Sequence, residues 1–183
     1  FVLLAFGLLM GQFVYGNNVL PFTSLSREGK SFYISQTLPI EASSNILGRA
    51  LAILLIDLIS TALMSLAFLF IFKLSFLQAF AIFLGMMISA TYISFYGLYR
   101  GSKKIDIHRQ KPQEVTKTGI YGVFKTLLSL VIFVVICALS FGLYYLSENL
   151  IASIGLALLL ILIAALFFYL LGEKSYEKGF MDI

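Results

Sequence analysis

The sequence predicts an all-α membrane protein, a polytopic bundle of five transmembrane helices with a short amphipathic cytoplasmic helix beside them. Three observations carry this. Of 183 residues, 60% are hydrophobic and 12% charged, and the mean hydropathy of +0.98 is far above what a water-soluble domain of this size sustains. Five apolar segments each reach the roughly 20 residues needed to cross about 30 Å of hydrocarbon. The basic residues gather in alternate connections, as the positive-inside rule requires.

The spans fall at about 1–20, 50–72, 77–99, 120–146 and 150–171. No segment alternates with the period of a barrel strand, so helices are the form that satisfies the backbone in lipid. The first span opens on Phe1, which is not an initiator, and no basic n-region or small-residue cleavage site accompanies it. Residue 1 is therefore expected to be a cut within a longer protein, with at least one further helix upstream. The connections after spans one and three, 21–49 and 100–119, are long and polar. Those around "KLSF" and "SENL" are a few residues each.

Arg27, Lys30 and Arg49 lie in the first long connection. Arg100, Lys103, Lys104, Arg109, Lys111 and Lys117 lie in the second, and Lys174 and Lys178 in the tail 172–183. Lys125, about one turn inside span four, snorkels to the same side. Lys73 alone falls opposite. Both long loops and the C-terminus are thus expected in the cytoplasm of a multi-pass cell-membrane protein. Tyr92, Phe95, Tyr96 and Tyr99 on span three, and Phe167, Phe168 and Tyr169 on span five, are expected as interfacial anchors at that face. Tyr144 and Tyr145 mark an outer end. The net charge of +4 is small and dispersed, so nucleic acid is not an expected partner. Cys137 is the one cysteine, inside an apolar run, and no disulfide framework exists.

The stretch "LSREGKSFYISQTLPI" (25–40) interrupts the apolar chain. Gly29-Lys30-Ser31 matches the end of a phosphate-binding loop, but Ser24 stands where the first glycine belongs and a membrane helix precedes it. Backbone amides cannot wrap a phosphate there. Apolar Phe22, Leu25, Phe32, Tyr33, Ile34, Leu38 and Ile40 are instead interspersed with Arg27, Glu28, Lys30 and Gln36, partly at helical spacing. The pattern predicts a short amphipathic helix ending before Pro39. A second helix is expected to start near Thr37–Pro39, with Thr37 as N-cap and Glu41 on the helix dipole, running into span two. Periodicity fits a docking element and a connector lying on lipid headgroups equally, and both readings stand at this point.

"REGKSFYISQTLPIEASSNILGRAL" resembles the first cytoplasmic loop of ABC-2 type transporter permeases. Leu38-Pro39-Ile40 fit the middle of that pattern and Gly48-Arg49 its end. Together with Ile105, Asp106, Pro112, Glu114 and Lys117 of "IDIHRQKPQEVTKTG", the loop is similar to a branch of bacterial ABC exporter permeases. Gln36 and Thr37 depart from the Lys-Ser more usual there, and the run before Glu114 lacks its usual aromatic. The resemblance implies that the loop helix is a coupling helix, seated in a groove of a separate cytoplasmic ATPase. Phe32, Tyr33 and Leu38 would then be the apolar anchors and Arg27, Glu28 and Lys30 the polar, register-setting rim, with Gly29 and Pro39 also among the ATPase contacts. It also implies pairing with a second permease half or a homodimer partner.

Asp57, one to two turns into span two, has two readings: a transport-path residue, or an interhelical hydrogen bond to Lys125, Ser60 or Thr61. The helix-packing reading is favoured. Gly7 and Gly11, and Ala81, Gly85 and Ser89, are spaced for close helix approach. His108 has no second ligand at metal spacing, and Met86-Met87 read as packing. No H-E-x-x-H, GxSxG, paired intramembrane aspartates or His cluster is present, so no enzymatic activity, metal or other cofactor is expected on this chain. Three functions remain. The leading one is a permease exporting its substrate at the expense of ATP hydrolysed on a partner chain. The alternatives are a secondary transporter or other polytopic protein without an ATPase, and a membrane enzyme with its site upstream.

Overall fold

A computed structural model describes residues 2–31, 40–103 and 150–181, with isolated helical positions between 127 and 145. The described residues form helices joined by turns, with no strand among them. In chain order these are α1 (Val2–Gly16), α2 (Leu20–Thr23), a 3-10 turn (Ser26–Ser31), α3 (Ala42–Ile71), α4 (Phe76–Ser102) and α5 (Leu150–Met181). Among the described residues four stretches, rather than the expected five, are long and apolar enough to cross a membrane: Leu3–Thr23, Ala42–Ile71, Phe76–Ser102 and Ile154–Glu177. The span expected at 120–146 lies mostly outside the described residues.

Helix α4 is the centre of the bundle and packs on α1, α2, α3 and α5. Small residues make this possible. A side chain added at Gly85 would meet the backbone of Leu4, Gly7 and Leu8, and one at Gly11 would meet Met86 and Ser89. The glycines spaced for close approach therefore form one seam in which α1 and α4 run parallel, backbone against backbone. Lipid tails are as apolar as leucine, so this packing, and not water exclusion, holds the two helices together. Ser89 adds a bond from its Oγ to the carbonyl of Leu8 at 2.7 Å.

Helix α3 returns antiparallel to α4 through the tight turn Phe72–Ser75. Leu74 N–H bonds to the carbonyl of Leu69 at 3.2 Å, and Lys73 takes φ 50°. Such a helix end usually carries glycine. Ser75 N–H donates to Oε1 of Gln78 at 2.9 Å and starts α4. Helix α5 runs parallel to α4, the relation expected of spans three and five.

Several boundaries differ from the sequence expectation. Helix α3 begins at Ala42, a few residues after the start expected near Thr37–Pro39, and is preceded by Glu41; Thr37 lies outside the described residues. Its polar first turns stay helical because Ile46 and Ala50 are buried with Leu25, Leu98 and Tyr176. The same cluster, with Gly172 against Tyr99, carries α5 through the presumed tail to Met181. Tyr92 and Tyr96 are not interfacial anchors: they are 0% and 2% exposed. Their rings pack edge-on to Phe168 with centroids 6.0 and 5.0 Å away, inside the α4–α5 contact. Phe167 is exposed, as a lipid-facing anchor would be.

Candidate functional site

Two polar assemblies lie along α3, about 12 Å apart on its axis (eight residues at about 1.5 Å each). The first is built on Arg49, near the helix start. Its Nε donates to Oδ1 of Asn45 at 2.6 Å, and Nη1 donates to the carbonyl and Oγ of Ser24 at 3.2 and 3.3 Å. Nη2 pairs with the carboxylate of Glu28. Tyr176 of α5, buried, lies against the same guanidinium and Asn45. One arginine thus ties the segment after α2 to α3, with α5 packed against the junction. The planar fork of five N–H donors suits arginine to this work, where a lysine could make only a point contact.

The second assembly surrounds Asp57, and its origin is a break in α1. Gly16 ends the helix, Asn17 and Asn18 follow, and Pro21 lies in the first turn of α2. The amides repair what the break leaves open. Asn17 Nδ2 donates to Phe13 O at 3.0 Å, Asn18 N–H to Tyr15 O at 2.9 Å, and Leu20 N–H to Oδ1 of Asn18 at 3.0 Å. Past the break α2 packs on α4, with Pro21 and Phe22 set against Gly97 and Gly101, while Asn17 is exposed.

Asp57 faces this break and is 3% exposed. Asn18 Nδ2 donates to its Oδ1 at 3.3 Å, and Ser94 of α4 lies beside the carboxyl. Its peptide oxygen accepts from Ser60 Oγ at 2.9 Å, Thr61 Oγ1 at 2.6 Å and Tyr15 OH at 3.2 Å. The Tyr15 hydroxyl also lies 3.0 Å from Ser60 Oγ and 2.5 Å from Thr61 Oγ1. Among the described residues no group of three or more His, Cys, Asp or Glu side chains could hold a metal ion.

Of the residues singled out in the sequence, Arg27 is exposed on the 3-10 turn, Gly29 and Lys30 lie on that turn, and Glu28 is turned inward to Arg49. Phe32, Tyr33, Leu38 and Pro39 lie outside the described residues. Asp57 is buried, which both of its readings accommodate. Ser60 and Thr61 bond its peptide oxygen, Asn18 and Ser94 meet its side chain, and the suggested partner Lys125 lies outside the described residues. Tyr15, Asn18, Ser24, Asn45, Ser94 and Tyr176 were not anticipated. Gly16-Asn17-Asn18, followed shortly by Pro21, is the one signal that could have marked the break.

Long apolar helices whose inward polar groups are paired across the bundle define a multi-pass helical membrane protein. A family model described as "Membrane protein of 12 TMs" matches residues 13–170, most of the chain, and the chain belongs to that family. No curated protein and no solved structure matches it.

Proposed function

We propose that the chain is a permease component of an ABC-type exporter, coupling ATP hydrolysis by a separate cytoplasmic ATPase to movement of a substrate. The observation that carries this reading is the Arg49–Glu28 pair. These residues stand at opposite ends of the stretch that resembles the first cytoplasmic loop of ABC-2 permeases. Their contact ties the 3-10 turn Ser26–Ser31 to α3, so a push on that turn would reach a membrane-crossing helix. The basic residues of the connections support a cytoplasmic position for this loop, within reach of a soluble motor. The family description extends the reading to a whole protein of twelve spans.

The test is gentle purification of the full-length protein from its native membrane. A Walker-motif subunit should co-purify, and Phe32→Ala with Tyr33→Ala should release it while the membrane part stays folded. A fully active transporter without any nucleotide-hydrolysing companion would discard the reading. It would favour a secondary transporter, the alternative to which the broken α1 facing a buried carboxylate gives specific support.

A further inference from the structure

Most polar side chains within the bundle are accounted for locally. Ser65, Thr91 and Ser102 return their hydroxyls to carbonyls of their own helices, and Ser89 bonds across to Leu8. Asp57 differs. Its carboxyl is the one side chain of formal charge buried in the bundle among the described residues, and the groups that meet it are neutral: Asn18 and Ser94. Tyr15, the titratable group brought to it by α1, spends its hydroxyl on the peptide oxygen and on Ser60 and Thr61. From α4 the facing group is Ser94, and neither α4 nor α5 presents a described charged side chain to it. Arg49, two turns along α3, is engaged with Glu28 of the 3-10 turn.

The geometry also discriminates between a proton and a metal ion. Asn18 is held in one orientation, because its Oδ1 accepts from Leu20 N–H. Its NH2 end therefore points at the carboxyl, presenting a donor where a metal ion would need an oxygen. Among the described residues no cation faces this carboxyl, and a carboxyl without a counter-ion is accommodated in an apolar interior as the neutral acid.

We propose that Asp57, with Asn18 and Ser94, forms a proton-binding site at the break in α1. The packed arrangement is the loaded state: the acid is neutral and sealed by the linker 17–19. Movement of that linker away from α3 takes Asn18 from the carboxyl and admits water, and the proton leaves by that route. Discontinuous helices serve ion sites in this way because their ends shift without unravelling a whole span. The site stands whether or not an ATPase partner exists.

The test uses purified full-length protein and dicyclohexylcarbodiimide, an apolar reagent that modifies protonated carboxyl groups. Mass spectrometry should find the adduct on Asp57, decreasing as the buffer is made alkaline, unchanged between Na+ and K+ media, and lost in Asp57→Asn. Infrared difference spectra should show a protonated-carboxyl C=O band that the same variant abolishes. Protection by Na+ at fixed pH would overturn the proposal in favour of a metal-ion site. Absence of the infrared band at every pH would overturn it outright, whatever the reagent's access. Neither readout depends on ATP, so failure here and failure of the permease reading are separable.

Discussion

Replacing Gly85 with alanine tests the seam that positions everything else. The new methyl would lie 2.5 Å from Leu4 O, 2.7 Å from Leu8 N and 2.9 Å from Gly7 C. All three are backbone atoms, so no rotamer change can make room. Ordinary contact begins near 3.4 Å, and α1 must withdraw from α4 by about 0.9 Å. That displacement forfeits a quarter to a half of the dispersion attraction along the seam and stretches the 2.7 Å Ser89–Leu8 bond out of range. Overpacking of this kind costs about 1–3 kcal/mol and the lost hydrogen bond about 1 kcal/mol. Gly85→Ala should therefore lower stability by about 2–4 kcal/mol, a roughly 30-fold or greater fall in the folded-to-unfolded ratio. The assay is reversible unfolding in mixed micelles, with Gly48→Ala as control. Nothing lies within 4 Å of a methyl at Gly48, and alanine there should be neutral or stabilising by up to about 1 kcal/mol. If Gly85→Ala unfolds at the same denaturant fraction as the parent, the helices are not in backbone contact and the reasoning fails.

Arg49→Gln should cost about 1–3 kcal/mol, since it strips charged bonds from Ser24 and Glu28 in a half-buried setting. Adding Glu28→Gln to it should cost less than the sum of the single changes, and strict additivity in the same unfolding assay would show that the two do not interact. Lys73→Gly should stabilise by about 0.5–1 kcal/mol, because φ 50° is costly for a residue with a Cβ. An unchanged or lowered midpoint would mean that the turn does not hold this conformation.

The spans were legible because lipid leaves the backbone no partner but itself, so apolar length alone identifies a crossing helix. The small-residue seam was legible too: Gly7 and Gly11 recur on one face of α1, and Ala81, Gly85 and Ser89 on one face of α4. The end of α5 was not. Gly172–Met181 is polar enough to read as a tail, and it stays helical because Tyr176 is buried in one cluster with Ile46. Tyr92 and Tyr96 illustrate an ambiguity of another kind. An aromatic near the end of an apolar run looks the same whether it faces headgroups or a neighbouring helix, and only Phe168 opposite decides it. The Asp57 setting was half visible. The acid stood out at once, but its amide partner comes from a discontinuity in α1 that hydropathy averaged away.

Helix α3 is longer than a bilayer requires. Its 30 residues extend about 45 Å, against a hydrocarbon thickness of about 30 Å. The surplus sits at the Ala42–Arg49 end, where the arginine grips Ser24 and Glu28. That overhang makes the helix a crowbar. A sideways tug on its grip is carried along the rigid rod to Asp57, eight residues further on.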